Sequence, residues 1–214
     1  MSEIVAVDNV YGLWITASGR CGSTRIGVMT MTDNVGTRTR DWWTIDDLFD
    51  LPDDGMCYEL VDGALLVSPA ATPRHGKVLH LLRKLLDRQA PEELAVSSDV
   101  GIRIGSNYTY FIPDLFVMPI TGFDSHPKYL LPADVMLTVE ILSEHNRSRD
   151  LVLKRHYYAS VEIPRYWIVD PFERTLTVLA LDGTEYKGEV VVPAGETWRT
   201  EHPYPLELDP AEFC

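Results

Sequence analysis

The sequence has 214 residues, of which 45% are hydrophobic, and it carries a formal net charge of −13. This length suits one domain, or one domain with a tail, and it is sufficient to bury a sizeable hydrophobic core. The acidic balance argues against a general nucleic-acid coat or a membrane-surface protein, but it is compatible with a local basic cleft.

Three cysteines are scattered along the chain without a CxxC pair, which favours a reducing compartment over a disulfide framework. No apolar run approaches the roughly 18 residues that a membrane-spanning helix needs. An acid near the N-terminus does not suit a signal peptide. We therefore expect a cytoplasmic protein that contains no membrane span.

Residues 1–40 are rich in Gly, Thr and Ser and show little periodicity. This composition predicts a loosely ordered N-terminal extension, followed by a domain over residues 41–214. At the start of that domain, Thr44 is the predicted N-cap of a short helix, because Asp47 three residues later completes a variant of the capping box. The dipeptide Asp62-Gly63 then joins two β-rich runs and predicts a hairpin with a type I′ turn.

The longest helical pattern covers residues 73–89, with Pro73 in the first turn and leucines at helical spacing. Residues 94–105 alternate as one strand would. Residues 108–119 predict another strand, which Pro113 interrupts because proline cannot donate to a sheet ladder.

A nearly continuous apolar run at residues 134–143 is typical of a strand in the buried centre of a sheet. A helix is predicted within 149–160, followed by strands at 165–171, 175–183 and 185–193. This order predicts an α/β fold in which a central mixed sheet is flanked by helices.

Two carboxylates, Asp114 and Glu140, each lie at the end of a core-like strand. Asp114 follows the strand-breaking Pro113, where its side chain can face a cleft or cap a turn. Glu140 has apolar neighbours, and its ionised form is costly to bury unless a cation or an arginine pairs with it. Two such acids together favour a shared site for Mg²⁺ or Mn²⁺, since both ions prefer hard oxygen ligands.

Lys154 lies on the helix that follows Glu140. Asp150, Lys154 and Tyr158 are spaced four residues apart and therefore share one helix face. The spacing fits an ordinary surface pair between Asp150 and Lys154. It also fits an ammonium that reaches the acidic site and stabilises developing negative charge there. Tyr158 is interpreted as a core residue.

Five segments in order resemble the Uma2 family, also called DUF820, of the PD-(D/E)XK restriction-endonuclease-like superfamily. They read "YELVDGALLVSP", "RHGKVLHLLRKLL", "IPDLFVM", "LTVEILS" and "RDLVLKRHYYASVEIPRYWIVDP", within a resemblance that covers residues 44–190. The resemblance implies a restriction-endonuclease-like fold and a Mg²⁺-dependent centre for phosphodiester hydrolysis.

Carried over residue by residue, Asp114 matches the acid of the PD motif and Glu140 the acid of the (D/E)XK motif. The superfamily lysine is absent, because Leu142 stands at its position. The Uma2 pattern instead takes a lysine from the following helix, which here is Lys154. Glu59 matches the family's N-terminal acid and is expected either as a third metal ligand or as a cross-strand partner of a basic residue.

Two residues that open the long helix are expected to contact the substrate. His75 can bind a phosphate or exchange a proton near neutral pH, although a capping or solvated histidine fits the same position. Arg74 belongs to a basic stretch over residues 74–88, which contrasts with the acidic body of the chain. This contrast is compatible with DNA entering one cleft, but charge runs are also typical of solvated faces.

The first hypothesis is therefore a metal-dependent DNA endonuclease in which Asp114 and Glu140 hold the metal and Lys154 assists the attacking water. The second is a binding module that keeps the fold without the chemistry, as Leu142 suggests. The third is a metal-dependent hydrolase of another phosphate ester. Nucleases of this fold often act as dimers, because a duplex has two strands to cut, and a homodimer is compatible with the first hypothesis.

Overall fold

The computed structural model describes residues 4–5, 15–16, 42–126, 128–143 and 149–214. The strands are β1 (Ile4–Val5), β2 (Ile15–Thr16), β3 (Cys57–Val61), β4 (Ala64–Ser68), β5 (Leu94–Ser97), β6 (Ile102–Arg103), β7 (Tyr110–Phe111), β8 (Leu115–Pro119), β9 (Leu137–Ile141), β10 (Arg165–Asp170), β11 (Thr175–Asp182), β12 (Glu185–Pro193), β13 (Trp198–Thr200) and β14 (Leu206–Leu208). The helices are α1 (Ile45–Leu48), α2 (Pro73–Gln89), a π-helical segment (Arg149–Lys154) and α3 (Arg155–Ser160). Most of the predicted extension over residues 1–40 lies outside the described residues.

Local sequence signals place the first elements of the domain as predicted. Thr44 and Asp47 form the reciprocal hydrogen bonds of a capping box at the start of α1. Asp62 and Gly63 have positive φ angles of 47° and 82°, and they join β3 to β4 in a tight hairpin. The helix predicted over residues 73–89 is present with those bounds, and Thr72 caps it.

The central sheet has six strands in the order β12-β11-β10-β9-β8-β5. In the described part of this sheet, β9 and β10 form the one parallel pair, and the other neighbouring strands pair antiparallel. The predicted central mixed sheet is therefore confirmed. Strand β9 is buried along its whole length, as its apolar sequence predicted.

A second sheet of four strands, in the order β4-β3-β7-β6, was not predicted as a separate layer. The single strand expected over residues 94–105 is wrong, because this segment divides into β5 of the central sheet and β6 of the second sheet. The chain turns between them at Asp99, whose φ angle is +64°. Residues 108–119 divide in the same way at Pro113, so that β7 and β8 also belong to different sheets.

The two faces of the central sheet are covered by different elements. On one face, Leu137 and Val139 pack with the apolar side of α2 and with β14. On the other face, Phe116 and Ile168 pack with residues of β6, β7 and α3. Glu140 lies between Val139 and Ile141 in β9, and its side chain therefore points to the second face, between the two sheets.

Candidate active site between the two sheets

Asp114 lies where β8 begins, directly across from the end of β9. Leu115 pairs with Val139 at the end of the antiparallel ladder, so Asp114 immediately precedes this ladder and Glu140 immediately follows it on the partner strand. Pro113 has no N–H to donate, so the chain leaves the ladder at this point. The backbone N–H of Ile141 then donates to Asp114 Oδ2 over 2.6 Å, which fixes the carboxylate against the end of β9.

Glu140 belongs to a buried ionic cluster with Lys154 and Glu59, and each of the three residues is only 2–3% exposed. The Lys154 ammonium lies 2.9 Å from Glu140 Oε1 and 3.0 Å from Glu59 Oε1. Buried charges are tolerated when they are paired and hydrogen-bonded, and this cluster meets that condition. Because Glu59 is on β3 and Glu140 is on β9, the ammonium joins the two sheets.

The π-helical segment ends at Lys154 and delivers the ammonium to the cluster. Short π-helical turns are rare and are often found at functional sites. Leu142, which stands at the position of the superfamily lysine, is 3% exposed and packs in the apolar core beside α3. The lysine expected from the following helix thus reaches Glu140. The side chain of Asp150 lies outside the described residues, so its suggested pairing with Lys154 stays a prediction.

Tyr158 takes part in this cluster, although the sequence interpretation assigned it only to the core. Its hydroxyl donates to Glu140 Oε1 over 2.9 Å. Burial raises the pKa of Tyr158 well above its usual value, and the neighbouring Glu140 carboxylate acts in the same direction. The hydroxyl therefore keeps its proton and remains a donor. The four-residue spacing between Lys154 and Tyr158 is the sequence signal for this arrangement.

Replacing Tyr158 by phenylalanine is expected to lower the free energy of unfolding by about 1.5–3 kcal/mol, because a hydrogen bond to a buried charged group is lost. Tyr186→Phe is the matched control, since the Tyr186 hydroxyl is buried and donates to the neutral carbonyl of Ile163 over 2.8 Å. That control should cost about 0.5–1.5 kcal/mol. Urea denaturation measures both variants, and equal losses would contradict a charged acceptor at Tyr158.

His75 and Arg74, the two expected substrate contacts, have different surroundings. His75 Nε2 lies 3.0 Å from Asp114 Oδ1, so the start of α2 contacts the same carboxylate that Ile141 holds. Arg74 donates to the carbonyl of Pro171, and its guanidinium packs over the ring of Phe172. The two Arg74 contacts fasten the start of α2 to the turn after β10. Binding of substrate by Arg74 or His75 stays a prediction.

The acidic side chains of this region do not form a single cluster of metal ligands. Glu59 and Glu140 are paired with Lys154, and Asp114 is paired with His75. Among the described residues, no three His, Cys, Asp or Glu side chains are grouped closely enough to hold a metal ion.

Asp114 and Glu140 nevertheless lie at the same end of the β8–β9 ladder, where Leu115 pairs with Val139 and the N–H of Ile141 donates to Asp114 Oδ2. Mg²⁺ typically keeps several waters and is held by one or two carboxylates together with substrate phosphates. The donor set of this pair therefore fits Mg²⁺.

A family model named Uma2, with the description "Putative restriction endonuclease", matches residues 45–211. This match covers most of the chain. The chain belongs to the Uma2 family. The resemblance seen in the sequence is thereby confirmed, and it includes the segments that carry Asp114, Glu140 and Lys154. None of the helices in the described part of this Uma2 protein is long and apolar enough to cross a membrane.

A solved structure supports the fold of this Uma2 protein. This structure is that of a "putative nuclease belonging to DUF820" from Anabaena variabilis ATCC 29413. The TM-score is 0.60 at 16% sequence identity, and the match covers 79% of this chain and 96% of that chain. At this identity the likeness shows the fold alone. A comparison with curated proteins gives no match.

Proposed function

We propose that this protein is a Mg²⁺-dependent endonuclease that hydrolyses phosphodiester bonds in DNA. The observation that carries the proposal is the position of the Lys154 ammonium, 2.9 Å from Glu140, on the strand whose Ile141 N–H donates to Asp114. Two carboxylates at one strand end and a buried ammonium are the groups that a metal-assisted attack on a phosphodiester requires. The Uma2 description as a restriction endonuclease supports the same reaction class.

In this proposal Asp114 and Glu140 would hold the metal, and Mn²⁺ could take the place of Mg²⁺. When bound, Mg²⁺ would lower the pKa of a coordinated water and neutralise charge on the scissile phosphate. Lys154 places its side-chain nitrogen 2.9 Å from Glu140, and a positive charge there would favour the additional negative charge of the transition state. Tyr158 holds Glu140 from the same side through Oε1, and Ile141 holds Asp114 through its backbone N–H.

The surface of α2 supports DNA as the substrate. The first turn of this helix brings His75 to the site. Exposed basic residues then follow along the helix, with increasing distance from the site, at Lys77, Lys84 and Arg88. Exposed lysines and arginines neutralise backbone phosphates without reading sequence. Acidic residues outnumber basic residues in the chain as a whole. The basic helix is therefore a local surface along which a polyanion such as DNA can approach the site.

Cleavage of supercoiled plasmid tests the proposal. We expect nicked or linear DNA in the presence of Mg²⁺ or Mn²⁺ and intact plasmid when EDTA replaces the metal. Linear duplex and single-stranded DNA define the strand requirement in the same assay. A protein that cuts none of these substrates with either metal would contradict the proposal. If calorimetry then showed metal binding without cleavage, the non-catalytic binding module would be favoured, and cleavage of a simple phosphate ester would favour the third hypothesis.

A further inference from the structure

Ile112 lies at the crossing between the two sheets. Strand β7 ends at Phe111 in the four-stranded sheet, and β8 begins at Leu115 in the central sheet. The intervening residues are Ile112, Pro113 and Asp114. A half-buried residue that has left one ladder and not yet joined the next must find other partners for its backbone N–H and C=O.

Both backbone groups of Ile112 are bonded by side chains of the buried ionic cluster. The N–H of Ile112 donates to Glu59 Oε1 over 2.9 Å, and Lys154 Nζ donates to the carbonyl of Ile112 over 3.4 Å. Lys154 and Glu59 are in turn paired with each other at 3.0 Å. The backbone of Ile112, two residues before Asp114, is therefore held on both sides by two charged side chains that are almost completely buried.

We propose that Glu59 is a positioning residue, which holds the bend at Ile112 and thereby keeps Asp114 against the end of β9, and that it does not serve as a third metal ligand. The inference rests on the proposed function, because it assigns a role within that site. Glu59 Oε1 already accepts from both Ile112 and Lys154, and β3 belongs to the other sheet. A displacement of about 1 Å at a reacting group can cost about 100-fold in rate, so a group that fixes the bend affects catalysis without touching the substrate.

The variants Glu59→Gln and Glu59→Leu separate the two roles. Glutamine keeps an oxygen that can accept from the Ile112 N–H, whereas leucine keeps neither the oxygen nor the charge. We expect Glu59→Gln to retain cleavage within about tenfold of the wild type at an unchanged half-maximal Mg²⁺ concentration, and Glu59→Leu to lose about 100-fold in kcat. If both variants lost activity equally and both raised the half-maximal Mg²⁺ concentration, Glu59 would be a metal ligand and the inference would be overturned.

Amide hydrogen exchange gives a readout that needs no cleavage. In Glu59→Leu the Ile112 amide should exchange at least about tenfold faster, whereas the Ile104 amide, which donates to the backbone carbonyl of Thr109, should not change. In Glu59→Gln the Ile112 amide should stay protected. Unchanged protection of Ile112 in Glu59→Leu would overturn the inference, even in an active enzyme. A wild-type protein that cuts no DNA would instead refute the proposed function, and the exchange result would still decide whether Glu59 holds the bend.

If Glu59→Leu does not fold, Glu59→Asp takes its place. Aspartate keeps the charge but is one methylene too short to reach the Ile112 N–H without a shift of the bend. The positioning role then predicts faster exchange at Ile112 and lower cleavage in Glu59→Asp than in Glu59→Gln. The opposite order, in which the shorter acid retains more activity than the amide, would favour metal ligation and overturn the inference.

Discussion

Replacing Lys154 by methionine is expected to lower the free energy of unfolding by about 3–5 kcal/mol, because the loss of one partner leaves buried charges without compensation. In this protein the ammonium is the shared partner of Glu59 and Glu140, and all three side chains are almost completely excluded from solvent. Methionine has a similar volume and fills the space, so the loss reports the charge and not a cavity. Urea or thermal denaturation measures the effect.

Lys187→Met is the matched control for this prediction. Lys187 pairs with Asp182 at 3.2 Å, but the two side chains are 59% and 70% exposed. Exposed pairs contribute about 0–1 kcal/mol, so this variant should be nearly as stable as the wild type. A loss below about 1 kcal/mol in Lys154→Met, equal to that of the control, would contradict an ionised lysine between two glutamates.

Combining Lys154→Met with Glu59→Gln and Glu140→Gln separates stability from catalysis. Neutral side chains of similar shape remove the uncompensated charges, and stability should recover by at least about half of the 3–5 kcal/mol. DNA cleavage should be absent both in Lys154→Met and in the combined variant, because the first lacks the ammonium and the second also lacks the carboxylate of Glu140. Recovery of cleavage together with stability would show that Lys154 has only a structural role.

The parts of the fold that were predicted correctly are determined by interactions between residues that are close together in the sequence. The capping box at Thr44, the turn at Asp62-Gly63 and the helix over residues 73–89 each depend on residues close together in the chain. The assignment of strands to sheets depends on partners that are distant in the sequence. The alternation of apolar and polar residues that predicts a strand is the same for either sheet and does not tell them apart. For that reason residues 94–105 were interpreted as one strand, and the C-terminal hairpin of β13 and β14 was missed.

The same distinction applies to the candidate site. Asp114 and Glu140 were recognisable because each acid breaks an apolar pattern at a strand end, and the structure places Asp114 against the end of β9 through the N–H of Ile141. The contact of Glu59 with Ile112 could not be predicted, since it joins residues that lie 53 positions apart in the sequence. The contact of Tyr158 with Glu140 could have been predicted from the four-residue spacing between Tyr158 and Lys154. It was missed because an aromatic residue among apolar neighbours resembles an ordinary core residue.

Replacing Asp114 by asparagine is expected to reduce DNA cleavage at least about 100-fold, because loss of a ligand forfeits several kcal/mol of metal-assisted transition-state stabilisation. The fold should be preserved, since the asparagine carbonyl can still accept from the N–H of Ile141, as Oδ2 of Asp114 does. The measurement is the initial rate of plasmid nicking across a range of Mg²⁺ concentrations, together with the thermal midpoint of each variant.

Asp209→Asn is the matched control, because Asp209 also accepts backbone N–H groups, from Gly195 and Ala211, but lies on the segment after β14. Hydrogen bonds from these amides hold the pKa of Asp209 below its usual value, so the carboxylate is ionised at the pH of the assay. Removing its charge changes the net charge of the protein as much as Asp114→Asn does. Cleavage should be unchanged in this control. Persistent cleavage in Asp114→Asn, or an equal loss in Asp209→Asn, would mean that the metal is not held at the β8–β9 register and that the catalytic assignment of Asp114 is wrong.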